Sequence, residues 1–394
     1  MTQDEALTIL KTGANVFLTG EPGSGKTHTI NQYVAWLRKR GIEPAITAST
    51  GIAATHIGGY TIHSWSGIGV RRALSSYDLD AVAGNKRVYS RVRKATTLII
   101  DEVSMLSAHT VSMVDAVCRE VRRDKRAFGG LQVVLVGDFF QLPPVQKQQE
   151  FAFLSPAWET LNPLVCYLLE QHRQEDAVFL DFLSAVRRAR VEEPHRALLR
   201  TRYAPHARGV VTQLYSHNRD VNVLNDAELS KLKSDAHQFE MTSRGPEKLV
   251  EALKRGCLSP EVLILKEGAR VMCTKNDTTT HRFVNGTLGV VVGFSKPTRP
   301  NTAHAGGETG YPVVKTRSGK SLLVEPMEWS LQDGGRVLAR INQLPLRLAW
   351  AMTVHKSQGM SLDGAHMDLS GTFEYGQGYV ALSRVRTLQG LTLA

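Results

Sequence analysis

The residues with the most chemistry per position are Gly20-Glu21-Pro22-Gly23-Ser24-Gly25-Lys26-Thr27, a G-x-x-x-x-G-K-[ST] octet followed by His28. Its glycines let backbone N–H groups turn inward around a phosphate. Lys26 then reaches the β- and γ-phosphates, and the Thr27 hydroxyl holds Mg²⁺. About 75 residues further on, Asp101 and Glu102 stand side by side at the end of an apolar run. In that setting the first acid holds the metal and the second deprotonates an attacking water. Gln141, just after Gly137-Asp138, offers an amide that can sense a γ-phosphate, and Gln3 stands where an amide can reach back to a nucleotide base. Together these residues imply hydrolysis of a nucleoside triphosphate, with ATP and Mg²⁺ as cofactors.

Such a site needs a sheet edge to hold it. Asn15–Thr19 is a short apolar run that reads as a buried parallel strand, and His28–Arg40 carries Ile30, Tyr33, Val34 and Leu37 at helical spacing before Gly41. Strand, glycine loop and helix therefore follow in the order that places a phosphate at a helix N-terminus. Further strands are expected at 44–50, 97–103, 131–138 and 164–169, with a helix over 104–121. Residues 71–94 turn basic and read as a small surface insertion. Residues 262–345 differ again, with β-branched runs at 270–276, 289–294, 312–317 and 321–325 separated by turn residues, which predicts an all-β insertion. From 346 the α/β pattern returns.

Composition bounds the partners. The chain has 394 residues, 42% hydrophobic, enough for two or three domains. A net charge of +11 favours a polyanionic partner, and nucleic acid is the commonest. No apolar run is long enough to cross a membrane, and the first residues lack the pattern of a signal peptide. The expected compartment is the cytoplasm of a bacterial or phage-like source, with the nucleus as the alternative. Cys118, Cys166, Cys257 and Cys273 are scattered without a C-x-x-C pair, so buried reduced thiols are expected rather than zinc or disulfides.

Taken in order, Gly13–Gly20 with Gln3, the glycine octet, Ala48–Ala54, Thr61–Ser64, Leu98–Met105, Val136–Pro144, His172–Gln174, Thr353–Gly359 and Tyr379–Val385 resemble the helicases of the Pif-one family, in the RecD-like branch of superfamily one. The resemblance covers nearly the whole chain. It implies an α/β fold of two RecA-like P-loop domains, with parallel sheets flanked by helices. A small wedge insertion belongs to the first domain and an SH3-like all-β insertion to the second. The first domain is expected over 1–160 with the wedge at about 66–95, the second over 161–268 and 346–394, and the β insertion over 269–345.

The resemblance also assigns Arg173 and Arg384 as the arginines offered to the γ-phosphate, with Gln358 and Gly359 at the same cleft. Thr50, Gly51, His63, Ser64, Thr353, His355 and Lys356 would line the path of a single strand. Two residues keep a plainer alternative: His63 as a buried hydrogen-bonding group, and Trp65 as core, or, if exposed, as a platform for a base or a brace for the wedge. The implied activity is ATP-dependent 5′→3′ translocation and unwinding of DNA, forks and G-quadruplexes included. The expected partners are single-stranded and forked or structured DNA, no membrane, and a monomer in the free state. The rival functions are a DNA-stimulated ATPase clamp or remodeller that separates no strands, and an RNA-directed helicase.

Overall fold

The computed structural model describes every residue except 58, 70, 145–149, 172–175, 205–210, 216–220, 278–281, 296–309, 334–335 and 373. The chain divides into two units, Met1–Arg173 with Ser330–Leu338, and Gln174–Trp329 with Ala339–Ala394.

Six strands build the sheet of the first unit: β1 (Val16–Gly20), β2 (Ala45–Ala48), β3 (Tyr60–Thr61), β4 (Thr97–Asp101), β5 (Gln132–Val136) and β6 (Leu164–Leu168). Their order is β3-β2-β4-β5-β1-β6, and every pair is parallel. A parallel sheet has to be covered on both faces, so its inner strands are apolar at successive positions rather than alternating. The side-chain period of two then sends neighbours into different cores. Val16, Leu18, Ile99 and Val134 pack with Leu10, Ile30, Tyr33 and Leu37 of helices α1 (Gln3–Lys11) and α2 (Lys26–Arg38). Phe17, Leu98, Ile100, Val133 and Leu135 face the opposite core. That core is supplied by α4 (Ile62–Ser66), α5 (Ser76–Ala83), α6 (Lys86–Lys94), α7 (Ala108–Arg122) and α8 (Pro156–Leu161), while α3 (Gly51–His56) follows β2.

The basic segment expected as a surface excursion is the pair α5–α6. Ser75 and Asn85 cap its two helices with side-chain oxygens. Val82, Val88 and Val92 reach the core, whereas Lys86, Arg87, Arg93 and Lys94 stay exposed. Arg91 ties the pair down: Nε donates to Trp65 O at 2.5 Å and Nη2 to Ser64 O.

One boundary moves. The strand at 164–168, expected in the second domain, is the edge strand of the first sheet, because β6 pairs with β1 over all five residues from Val16↔Leu164 to Gly20↔Leu168.

The second unit has its own parallel sheet, ordered β18 (Ala351–Thr353), β7 (Thr212–Tyr215), β19 (Ala365–Asp368), β20 (Leu391–Leu393). Helices α9 (Ala177–Arg187), α10 (Glu193–Arg200), α11 (Val221–Ser230) and α13 (Gln377–Leu382) accompany it. The expected β insertion is a five-stranded antiparallel sheet, β14 (Ser321–Leu323), β13 (Tyr311–Thr316), β12 (Leu288–Ser295), β11 (Arg270–Cys273), β17 (Leu346–Leu348). Its last strand therefore lies just beyond the expected end at 345. β structure also starts before 269: β8 (His237–Glu240) pairs with β10 (Val262–Leu265) across α12 (Glu247–Gly256). A further sheet, β15 (Met327–Asp333), β16 (Arg336–Gln343) and β9 (Thr242–Arg244), was not anticipated.

Candidate functional site

The carboxyl edge of the first sheet gathers the expected nucleotide residues. β1 delivers the chain into the glycine octet, and α2 begins at Lys26. Gly25 caps that helix at φ +84°, a left-handed conformation costly to any residue with a Cβ. Lys26 Nζ donates to Gly20 O at 2.7 Å and Glu21 O at 3.0 Å, so the ammonium lies along the loop that would hold the phosphates. The Thr27 and His28 side chains open to solvent in the first turn. Gln3, distant in sequence, is brought to the loop: its Nε2 donates to Ser24 O at 3.3 Å, while its backbone N–H donates to Glu170 Oε2 at 3.0 Å. Pro22 is buried within the loop.

Asp101 ends β4, and its Oδ1 accepts the Glu102 N–H at 2.9 Å. Some of its surface is open, yet it sits deep among protein atoms. Burial, then the Glu102 charge, push its carboxyl up to about 7, against the pull of the Lys26 ammonium. Glu102 holds φ +52° and ψ 44°, so the backbone itself aims this acid. For a non-glycine residue that conformation costs about 1–2 kcal/mol, and such strain gathers at functional positions.

After β5, buried Asp138 organises the next loop: Oδ1 accepts Phe140 N–H at 3.1 Å and Oδ2 accepts the Gln141 amide at 3.2 Å. Gln141, expected as the γ-phosphate sensor, is thus itself held by a carboxylate that the sequence reading passed over. An acid closing an apolar run was the available signal.

Three serines complete this edge. Ser24 follows β1, Ser49 follows β2 and Ser104 follows β4, and each has a buried hydroxyl oxygen with no hydrogen-bond partner. Buried polar groups are almost always satisfied, so orphaned hydroxyls on one sheet edge fit a polar ligand. A buried carboxylate raised by a neighbouring acid also fits a cation. Among the described residues no group of three or more His, Cys, Asp and Glu side chains converges.

Of the expected strand contacts, Thr50 and Gly51 lie at the same edge, where Thr50 Oγ1 accepts Ala53 N–H at 3.2 Å and starts α3. His63 is half-buried on α4, and burial lowers its pKa, favouring the neutral ring. Ser64 is exposed. Trp65 departs from the exposed alternative: it is 3% exposed and packs in the core with Val82, Val88 and Val92, so it cannot offer a face to a base.

In the second unit, Thr353 ends β18 and its Oγ1 accepts Lys356 N–H at 3.4 Å. His355 Nε2 bonds Glu374 Oε2 at 3.2 Å, a partner absent from the sequence reading. Gln358 and Gly359 follow in a turn, with Gly359 at φ +76°. Arg384 is 1% exposed: Nε donates to Val380 O at 2.9 Å and Nη2 to Ser383 Oγ at 2.8 Å. Arg173 lies outside the described residues.

Comparison with known proteins agrees with this geometry. Residues 4–196 match the family model PIF1-like helicase, and residues 248–294 match that of the 2B domain of DNA helicase Pif1. An ATP-dependent DNA helicase Pif1 of a Psychrobacter species is 43% identical over the whole chain, which spans 67% of that protein; the chain spans 59% of the human relative's length. A Bacteroides Pif1 crystal structure with ADP-AlF4 superposes with a TM-score of 0.83 at 29% identity, covering 99% of this chain and 91% of that one. A Bacteroides Pif1 structure bound to single-stranded DNA gives 0.61 at 28%, covering 99% and 91%. With the glycine cradle, the paired acids and the held glutamine on one sheet edge, and with these matches along its length, the chain belongs to the PIF1-like helicase family.

Proposed function

We infer that the protein is an ATP-dependent DNA helicase that translocates 5′→3′ on a single strand and parts the duplex ahead of it. The observation that carries the reading is the nucleotide edge of the first sheet, where cradle, paired acids and γ-phosphate glutamine converge. Family membership supports DNA as the track, and polarity rests on the family likeness alone.

At that edge the loop N–H groups and Lys26 bind the phosphates, and Gln3 reads the base side. Thr27 and Asp101 would hold magnesium, which when bound screens the phosphate charge. Glu102 takes a proton from the attacking water, and Gln141 aligns that water and registers the loss of the γ-phosphate. Arg384, and Arg173 with it, neutralise charge developing on the transferred group. For Arg384 this exchanges two carbonyls and a hydroxyl for phosphate oxygens, which are stronger acceptors. Thr50, Gly51, His63, Ser64, Thr353, His355 and Lys356 carry the strand. The exposed cations of α6 supply affinity without sequence preference. Forks and G-quadruplexes are proposed substrates, and the free protein is proposed to be a monomer acting in the cytoplasm or nucleus.

The test is unwinding of forks carrying only a 5′ or only a 3′ tail, by the protein and by Lys26→Ala. Opening of the 5′-tailed fork that vanishes in the variant is the expected result. Preference for the 3′ tail would overturn the polarity. ATP hydrolysis stimulated by DNA with neither fork opened would leave a clamp or remodeller instead.

A further inference from the structure

The turn between β13 and β14 and the amino edge of the second unit's parallel sheet enclose an open cavity of about 510 Å³. Four cations line it: Arg282, then Arg317 and Lys320 on the turn, and Arg386 from the segment between α13 and β20. Asp363 is the one carboxylate among the described lining residues. Two of the cations are answered. Arg386 Nε lies 3.7 Å from Asp363 Oδ1, and Arg282 Nε lies 3.1 Å from Asp277 Oδ2. The other two are not: no described carboxylate pairs with Arg317 or Lys320, and Arg317 Nη1 donates instead to the main-chain carbonyl of Asp363. The two stand at the ends of one tight turn, closed by Thr316 N–H to Lys320 O at 2.8 Å and by Lys320 N–H to Thr316 Oγ1 at 3.1 Å. Gly364 makes room for the arginine, since a Cβ there would collide with Nη1. A concave wall with one sign of charge in excess concentrates its potential and draws the opposite sign.

The cavity is separate from the sites described above. Asp363 and Gly390 lie just before β19 and β20, whereas Thr353 and Asp368 are both level with Tyr215 at the carboxyl edge. The four residues of β19 put about 13 Å between the two edges. Arg384 does not line the cavity either, because its Nε runs back to Val380 O.

We propose that this cavity is a second anion site, in which Arg317 and Lys320 bind the phosphates of a phosphate-bearing ligand. Arg282 and Arg386 add to the positive field around it. Phosphate is the chemistry indicated, because a planar guanidinium fork and a compact ammonium together meet several oxygens at once. Two sources carry that chemistry: a DNA phosphodiester away from the strand path at Thr353, or a free polyphosphate. The anion site stands without the helicase reading, whereas its DNA source rests on that reading.

The experiment starts from Lys26→Ala, in which the glycine loop has lost its ammonium, and adds Arg317→Gln with Lys320→Gln, Lys320→Gln alone, or Lys315→Gln. Lys315 is exposed on β13 but does not line the cavity, so it controls for charge in general. Inorganic tripolyphosphate is titrated by thermal shift, and affinity for a single-stranded oligonucleotide is measured across a salt series. The double substitution is expected to raise the half-stabilising tripolyphosphate concentration about tenfold or more, the scale of a lost charged hydrogen bond. It is also expected to lower the slope of log K against log salt by about 1.4, from ~0.7 per phosphate on a single strand. Lys320→Gln breaks no side-chain bond to a described residue and should give about half that slope change, so the test survives if the double variant fails to fold. Loss of the tripolyphosphate effect at unchanged slope assigns the site to a free polyphosphate. Neither change in the double variant overturns the inference, as does an equal effect of Lys315→Gln. A parent that binds no DNA, while tripolyphosphate still acts through Arg317 and Lys320, would refute the helicase reading and leave the anion site in place.

Discussion

Gly25→Ala tests whether the nucleotide loop and the N-terminal helix are one mechanical piece. A Cβ at Gly25 would lie 2.1 Å from Gln3 Nε2 and 2.9 Å from its Cδ, at a backbone φ of +84°. The left-handed conformation costs alanine about 1–2 kcal/mol. The clash is relieved by swinging the Gln3 amide away, which forfeits its bond to Ser24 O and adds about 1 kcal/mol. The variant should therefore lose about 2–3 kcal/mol in the urea transition of the first unit. Gln3→Ala alone should lose about 1 kcal/mol, and with the amide already gone Gly25→Ala should cost only its conformational share. A double-mutant cycle then reads a coupling of about 1 kcal/mol. Additivity within about 0.5 kcal/mol, the usual result for independent sites, would refute the reasoning, because the Gln3 contact would then contribute nothing. Titration with a fluorescent ATP analogue on the same four proteins reports whether this coupling reaches the ligand.

Two further substitutions separate positioning from packing. Asp138→Asn sets an amide N–H against the Gln141 amide while keeping an acceptor for Phe140 N–H. Steady-state kinetics should show kcat falling tenfold to a hundredfold, on the order expected for a displaced aligning group, with KM for ATP nearly unchanged and a stability loss of about 1–3 kcal/mol for the unmet buried donor. Trp65→Ala empties a place in the core beside Val88 and Val92, so chemical denaturation should show a loss of about 3–5 kcal/mol. The salt slope of DNA binding by the folded variant should match the parent's, since Trp65 offers no surface to a strand.

The nucleotide edge was legible because each of its signals is local: a loop with the right glycines, between an apolar run and a helical period, and two acids at a strand end. Sheet order is not local. Leu164–Leu168 reads as a strand from its apolar residues, but nothing in those five residues says which neighbour it will choose. Its pairing with β1 comes from the return of the chain through α8. The β insertion was visible through its β-branched runs, whereas Met327–Asp333 and Arg336–Gln343 mix charged and polar residues into their alternation and present no such run. Trp65 shows the limit of residue type. An indole serves a core or a base equally well, and only the arrival of Val88 and Val92 from twenty-odd residues away decides between them. Asp138 and Glu374 were missed for a related reason: each acts through a side chain that only folding brings within reach.

Arg91 has a mechanical consequence. Its guanidinium joins α6 to the main-chain carbonyls of Ser64 and Trp65, and its Cζ lies 5.6 Å from the Tyr60 ring centre. Bonds to carbonyls grip the backbone rather than a rotatable side chain, so there is little slack between the two elements. A load on the exposed face of α6 is delivered directly to the turn bearing His63 and Ser64, which makes this arginine the pivot pin of a short lever.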